Sequence, residues 1–275
     1  MSDYPKGDVR YARTMEDTID ELKQLTLDQV KSVYADQVSA AVGEIAIVGD
    51  FEPDQAIYAL TEALRDWKSE TPIRDINREV KKNQTGGKED IVTPDKANAV
   101  FLTGLCFALN EDNPDSVALQ LGNFILGGGT LSSRLGDRIR QKEGLSYGVT
   151  SSVSVPSQGT DARFAINAIT NPLNIDAVEV AAMEELNRFI ESGPTDKELA
   201  DAKKAFLEAQ KIGRSADGSV AGQILSNLDL GRTYAYIAEK EKQIESLTTT
   251  EIQQAFKKYI DPSKLVIIRA GDFKK

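Results

Sequence analysis

The sequence predicts an α+β protein in which helices cover one face of an antiparallel or mixed sheet. In residues 90–273, strand-like apolar runs come first and amphipathic helical patterns follow, an order typical of α+β domains. In addition, the helix-and-strand pattern that closes the chain also occurs near its start. The sequence therefore indicates two related units, of which the second has the more complete set of elements.

The composition is that of an ordinary globular protein with an acidic balance. Its 275 residues are 40% hydrophobic, enough for one large core or two modest ones. The formal charge of −10 argues against a nucleic-acid or anionic-membrane partner, because such surfaces bind local excesses of Lys and Arg. No apolar run approaches the ~18 residues of a membrane span, and residues 1–20 lack the apolar stretch of a signal peptide.

The chain contains no histidine, which excludes several kinds of catalytic site. Without imidazole there is no Ser-His or Cys-His pair, no His general base and no His-containing zinc motif. The single cysteine, Cys106, lies in the apolar run 100–109. An internal disulfide is therefore impossible, and a buried, reduced thiol is expected.

Start signals mark the first helices. Thr26, followed three residues later by a glutamine, forms a capping box that predicts a helix over 27–38, and a buried strand is predicted at 44–48. Pro53 then starts a helix whose apolar side chains recur every three or four residues as far as Trp67. Trp67 lies on that apolar stripe and is predicted to be a core side chain rather than a ligand-stacking surface.

The same signals return near the end of the chain. The offset is 222 residues at each of three matched pairs, Thr26 and Thr248, Gly49 and Gly271, and Phe51 and Phe273. A gapless match that shares cap, apolar stripe and terminating residues indicates an internal repeat of domain length. We therefore expect residues 1–70 to be the tail of a preceding homologous α+β domain and residues 91–275 to be a second domain. The polar segment 71–90 is predicted to link them, and the missing front of the first unit predicts a fragment of a longer protein.

The second unit consists of strands followed by helices. Strands are predicted at 99–109, 147–155, 163–170 and 265–268. The turn at 156–159 predicts that the middle two pair as antiparallel neighbours. Helices are predicted from 113 onward and then at 175–190, 195–212, 220–230, 234–247 and 250–259.

Three glycines, Gly127, Gly128 and Gly129, open the stretch that contains the candidate chemistry. A phosphate-binding loop is one interpretation, but the Gly-Lys-Ser/Thr ending that would hold the β and γ phosphates is missing. A helix C-cap followed by a tight turn is the simpler interpretation.

A basic helical segment follows, with arginines at 134, 138 and 140. A solvated basic face is its usual explanation. Arg140 and Tyr147 differ, because a helix end and the following strand can bring them to one cleft. Arg140 could then hold a peptide carbonyl or carboxylate, while the phenol of Tyr147 could donate to a developing oxyanion.

These residues also carry a family resemblance. The segments 124–129, 133–135 and 140–147 resemble the non-catalytic C-terminal half of insulinase/pitrilysin-type (M16) zinc metallopeptidases, in particular of a larger bacterial member. The segments 26–51 and 248–270 are similar to the ends of two successive domains of that family. The resemblance implies the M16 peptidase-like (LuxS/MPP-like) α+β fold.

The resemblance also implies a function. Family members form two halves around a chamber, and the catalytic half binds zinc through His-x-x-Glu-His and a distal Glu, so this chain is expected to hold no cofactor and to be inactive alone. Zinc would lie in a catalytic M16 domain, either in the same full-length chain or in a partner subunit. Arg140 and Tyr147 match the Arg and Tyr that reach the bound peptide, and Gly127, Gly128 and Gly129 match a possible substrate loop.

Two alternatives stay open at this point. The chain could be a structural or assembly protein, or a stand-alone peptide-binding protein, in either case M16-like and without proteolytic activity. The C-terminal segment 269–273 resembles that of large bacterial members that are exported to the periplasm, so a periplasmic parent protein in a Gram-negative bacterium is expected.

Overall fold

The fold is described from a computed structural model, which covers residues 4–40, 42–72, 76, 80, 84–129 and 132–273. The chain divides into two units, the first formed by 1–77 with 212–235 and the second by 78–211 with 236–275. Each unit is described by itself. This division reflects which residues contact one another, whereas the predicted domains rest on an internal repeat in the sequence. The boundaries of the two homologous domains therefore stay a prediction.

The second unit contains a five-stranded mixed sheet. Its strands are β1 (Gly87–Val92), β2 (Ala99–Ala108), β3 (Ser146–Ser154), β4 (Asp161–Thr170) and β5 (Val266–Gly271). Their order across the sheet is β1-β5-β2-β4-β3. β1 is parallel to β5, whereas β2 is antiparallel to both β4 and β5, and β3 is antiparallel to β4. The predicted α+β class and mixed sheet are thus confirmed.

Apart from the first, the α-helices in the described ranges lie where the sequence predicts them. They are α1 (Met15–Gln24), α2 (Leu27–Gln37), α3 (Pro53–Leu64), α4 (Asp115–Asn123), α5 (Ile175–Ser192), α6 (Asp196–Gly213), α7 (Asp217–Asp229), α8 (Tyr234–Ser246) and α9 (Thr249–Tyr259). The capping boxes predicted at Thr26 and Thr248 both form, with each hydroxyl accepting the backbone N–H three residues on. No helix in these ranges is long and apolar enough to span a membrane.

Within the described part of the second unit, helices pack on one face of the sheet, and the side chains on its other face, here called the open face, are more exposed. Along β2, side chains alternate between buried and more exposed positions, as a strand with one covered face requires. On the covered side, α5 and α9 pack together through Phe189 and Phe256, whose ring centroids are 4.7 Å apart. Phe164 of β4 meets Phe256 edge-on at 6.4 Å, so these aromatic rings join the helices to the sheet.

A buried arginine joins the edge of the sheet to α5. Arg269 on β5 is 8% exposed. Its guanidinium donates to Asp90 on β1 at 2.6 Å and to Glu179 on α5 at 3.1 Å, and it also contacts Asp176. The hydrogen bond from Arg269 holds the pKa of Asp90 below its usual value.

The first unit has helices but no buried apolar side chains on α1, α2 or α3. The strand predicted at 44–48 does not form, because no other strand in the described part of this unit pairs with it. Trp67 is 38% exposed and stacks on Tyr34 with ring centroids 6.0 Å apart, so its predicted core position is wrong for this unit.

Candidate functional site

Two π-helical segments shape the candidate site, one entering the stretch from Gly127 to Tyr147 and one inside it. α4 continues into a π-helix at Phe124–Gly128, and a second π-helix spans Gly136–Lys142. Gly144 then adopts φ 62°, a left-handed conformation that glycine reaches without strain, and the chain enters β3. Wide helical turns of this kind are frequent at functional sites because they redirect the side chains that follow.

Of the three glycines, Gly127 lies where a helix packs against β3. A Cβ atom on Gly127 would lie 2.5 Å from Ser151 Oγ and 2.6 Å from Ser151 N, so any larger residue would push the helix off the strand. Gly127 is buried, whereas Gly128 is exposed. Gly127 therefore has a packing role, and the substrate loop formed by Gly127, Gly128 and Gly129 stays a prediction.

Arg134 forms an ion pair with a carboxylate instead of facing solvent. Its guanidinium donates to both carboxylate oxygens of Glu198 on α6, at 2.6 and 2.7 Å, and to the carbonyl of Gly193 at 3.0 Å. It also lies over the ring of Phe189, 5.0 Å from the centroid. This charge-assisted pair lowers the pKa of Glu198 to about 2.

Arg138 is bound in a similar way. It donates to Glu143 at 2.9 Å and to Glu184 on α5 at 2.5 Å, and these contacts raise its pKa. The side chains of Arg134 and Arg138 are only 15% and 20% exposed. The predicted solvated basic face is therefore wrong for these two residues, because acidic side chains distant in sequence neutralise them.

Arg140 is the exception among the three arginines. No carboxylate in the described part of the chain pairs with it, and its guanidinium carbon lies 4.6 Å from the ring centroid of Tyr147. Tyr147 is 84% exposed. The structure thus brings together the two residues that the sequence singled out, in a cation–π contact that leaves the guanidinium N–H groups and the phenol available.

A β-bulge places Tyr147 outside the regular register of the sheet. Ser146 is paired with Thr170 and Gly148 with Ile169, so Tyr147 is the extra residue between two successive pairs. Ser146 was not singled out in the sequence. The only local signal for it is a small polar residue directly before Tyr147 and a glycine directly after it.

Other predicted features give no second site. Among the described residues, no group of three His, Cys, Asp or Glu side chains is arranged to hold a metal ion. Cys106 is half-buried rather than fully buried, because its side chain lies on the open face of the sheet. Its backbone N–H donates to the side chain of Gln84 at 3.0 Å.

Comparison with known proteins assigns the chain to a family. The family described as the peptidase M16 inactive domain matches residues 24–206, which is more than half of the chain. The protein therefore belongs to the M16 peptidase inactive-domain family, as the resemblance implied.

The similar proteins include a non-peptidase homologue, an inactive domain and a protease. A non-peptidase homologue, YmxG of Helicobacter pylori, is 26% identical over 233 residues, which cover 84% of this chain and 52% of the relative. A peptidase M16 inactive domain from Pseudomonas fluorescens is 25% identical with a TM-score of 0.71, covering 90% of this chain and 58% of that one. A protease from Helicobacter pylori shares the fold at 16% identity and a TM-score of 0.75, covering 92% and 60%. The chain spans about half the length of the curated relative that it matches.

Gly127→Ala tests the close approach of the helix to β3. The added Cβ would overlap Ser151, so we expect the free energy of unfolding to fall by about 1–3 kcal/mol. Gly87→Ala is the matched control, because a Cβ there meets nothing within 4 Å. Denaturant unfolding of both variants makes the comparison, and an equal effect of the two substitutions would contradict the packing role of Gly127.

Glu198→Gln tests the clamp on Arg134. The pKa of Glu198 is depressed from 4.5 to about 2, so its stabilisation is fully present above pH 4.5 and is lost as the pH falls to about 2. We expect the variant to be less stable than the wild type by about 1.5–3 kcal/mol at pH 7. The difference should shrink as the pH is lowered towards 2, as followed by urea unfolding at a series of pH values. A difference that is constant with pH would rule out the charged pair as its source.

Proposed function

We propose that this chain is the C-terminal, non-catalytic part of an M16 zinc metalloendopeptidase. In this role it forms part of the chamber wall and contacts peptide substrate, while a zinc site on another domain carries out proteolysis. The observation that carries the proposal is the Arg140–Tyr147 pair, an unneutralised guanidinium beside a phenol that is 84% exposed.

The charges around Arg140 support a binding role. Two neighbouring arginines, Arg134 and Arg138, are each held by glutamates, so this acidic chain has carboxylates available for its structural cations. Arg140 pairs with no carboxylate among the described residues, and its guanidinium lies beside the ring of Tyr147. A guanidinium of this kind can donate a hydrogen bond to a peptide carbonyl, or two parallel hydrogen bonds to a terminal carboxylate.

The open face of the sheet supports a chamber wall. Val100, Leu102 and Ile169 are 39%, 38% and 51% exposed on the open face. Ile169 is paired with Gly148, one residue after Tyr147. An extended peptide lying there would contact apolar side chains beside the cation and the phenol, the combination of apolar area and a few polar groups that ligand sites use.

Peptide hydrolysis would require a second domain that carries the zinc site. The chain has no histidine, so the zinc that activates water when bound would lie in a catalytic M16 domain of the same full-length chain or of a partner subunit. Within this chain, Arg140 would orient the peptide and Tyr147 would donate a hydrogen bond to it. A periplasmic location of the parent protein stays a prediction.

A second candidate function follows from the non-peptidase homologue of Helicobacter pylori. In that case the chain would bind peptides or support assembly without proteolysis. Peptide affinity in the absence of hydrolysis by the complete protein would favour this candidate, and the net charge of −10 would then predict a preference for basic peptides.

Arg140→Ala and Tyr147→Phe in the complete protein test the proposal. Each removes a contact to bound peptide, so we expect kcat/KM for peptide hydrolysis to fall on the order of tenfold or more, with unchanged zinc content. Arg188→Ala is the control, because Arg188 is a solvent-exposed arginine of the same unit with 60% of its side chain exposed. Full activity in both site variants would refute the assignment of Arg140 and Tyr147, whereas absence of hydrolysis in the wild type would favour the second candidate.

A further inference from the structure

The bulge in β3 raises the question of what holds Tyr147 in place. An extra residue in an antiparallel strand interrupts the ladder of backbone hydrogen bonds and leaves local polar groups to be satisfied in another way. Ser146 and Gly148 are paired with consecutive residues of β4, so the backbone of Tyr147 has no opposite partner. Its side chain is 84% exposed, and its ring lies beside the guanidinium of Arg140.

The side chain of Ser146 lies inside this bulge. Its hydroxyl oxygen accepts the backbone N–H of Gly148 at 3.1 Å and lies 2.6 Å from the carbonyl oxygen of Ile169. A second carbonyl, that of Gly148, is 2.9 Å away. The hydroxyl has one proton, which can be donated to either carbonyl, and Ile169 offers the shorter contact.

Because Ser146 is buried, its hydroxyl relies on hydrogen bonds within the protein. Ser146 is 5% exposed, so its hydroxyl has little access to water and depends on these protein partners. The preceding residue is fixed as well, because Leu145 donates its N–H to Ile139 at 2.9 Å and its carbonyl accepts the hydroxyl proton of Thr170. The backbone is therefore restrained on both sides of Tyr147.

We propose that Ser146 is a positioning residue whose hydroxyl closes the β3 bulge and thereby holds the Tyr147 ring beside Arg140. The functional importance of this arrangement rests on the proposed function, whereas the arrangement itself does not. Ser146 acts through Tyr147 and touches no substrate.

The first experiment measures the bulge in the 275-residue chain by NMR. In the wild type, the Gly148 amide should exchange with solvent more slowly than a free amide, because it donates a hydrogen bond to Ser146. In Ser146→Ala it should exchange about tenfold faster, the effect of losing one hydrogen bond. A Gly148 amide that exchanges in the wild type like an exposed amide would overturn the proposal without any variant.

The second measurement follows the Tyr147 ring. With fluorotyrosine incorporated, the Tyr147 fluorine signal is identified by its loss in Tyr147→Phe, and we expect Ser146→Ala to shift it. Ser152→Ala is the control, because Ser152 lies on the same strand, paired with Ala165 and away from the bulge. Equal behaviour of Ser146→Ala and Ser152→Ala would contradict the proposal.

The third measurement separates this proposal from the proposed function. In the complete enzyme, Ser146→Ala should lower kcat/KM in the presence of Tyr147 and have no further effect in a Tyr147→Ala background. An equal loss in both backgrounds would mean that Ser146 does not act through Tyr147. If the Arg140 and Tyr147 variants retain full activity, the proposed function fails, and the amide exchange and the fluorine signal still decide the role of Ser146.

Discussion

The close approach of the Phe124–Gly128 π-helix to β3 is the constraint on which the geometry of the candidate site depends. Gly127 has no Cβ, and this absence lets the helix backbone lie against Ser151. Asn123 adds a hydrogen bond from its side chain to the carbonyl of Ser151 at 3.3 Å. β3 is the last strand of the sheet, and this helix covers part of its outer edge, which would otherwise expose unpaired backbone groups. The helix and the strand together fix both ends of the segment that carries Arg140.

The distribution of charge separates structural arginines from the candidate binding residue. Arg134, Arg138 and Arg269 each join elements distant in sequence through carboxylates, and each is largely shielded from solvent. Buried or half-buried cations need such partners, because desolvation without compensation is costly. Arg140 pairs with no carboxylate in the described part of the chain, and its guanidinium lies beside the ring of Tyr147. The carboxylate partners of the other three are visible only in the folded chain.

Local signals in the sequence were sufficient for most elements, and long-range contacts account for the differences. Capping residues such as Thr248 and alternating apolar strands such as β4 depend on neighbours a few residues away, so their positions were predicted well. The π-helices depend on packing against β3, which no local pattern encodes. The same holds for the partner of Arg134, which lies 64 residues further along the chain. The pair Arg140 and Tyr147 was found through its spacing and the family resemblance, whereas Ser146 required the register of β3.

The place of β5 in the sheet has a consequence for how the second unit folds. β5 lies between β1 and β2, and Asp90 on β1 contacts Arg269 on β5 across 179 residues of chain. During synthesis, β1 and β2 therefore have no strand between them until Gly271 leaves the ribosome. Pairings at this separation form slowly, since a long loop must close first. The nascent chain thus carries two strand edges, those of β1 and β2, that lack their shared neighbour β5 until the last part of the second unit is made.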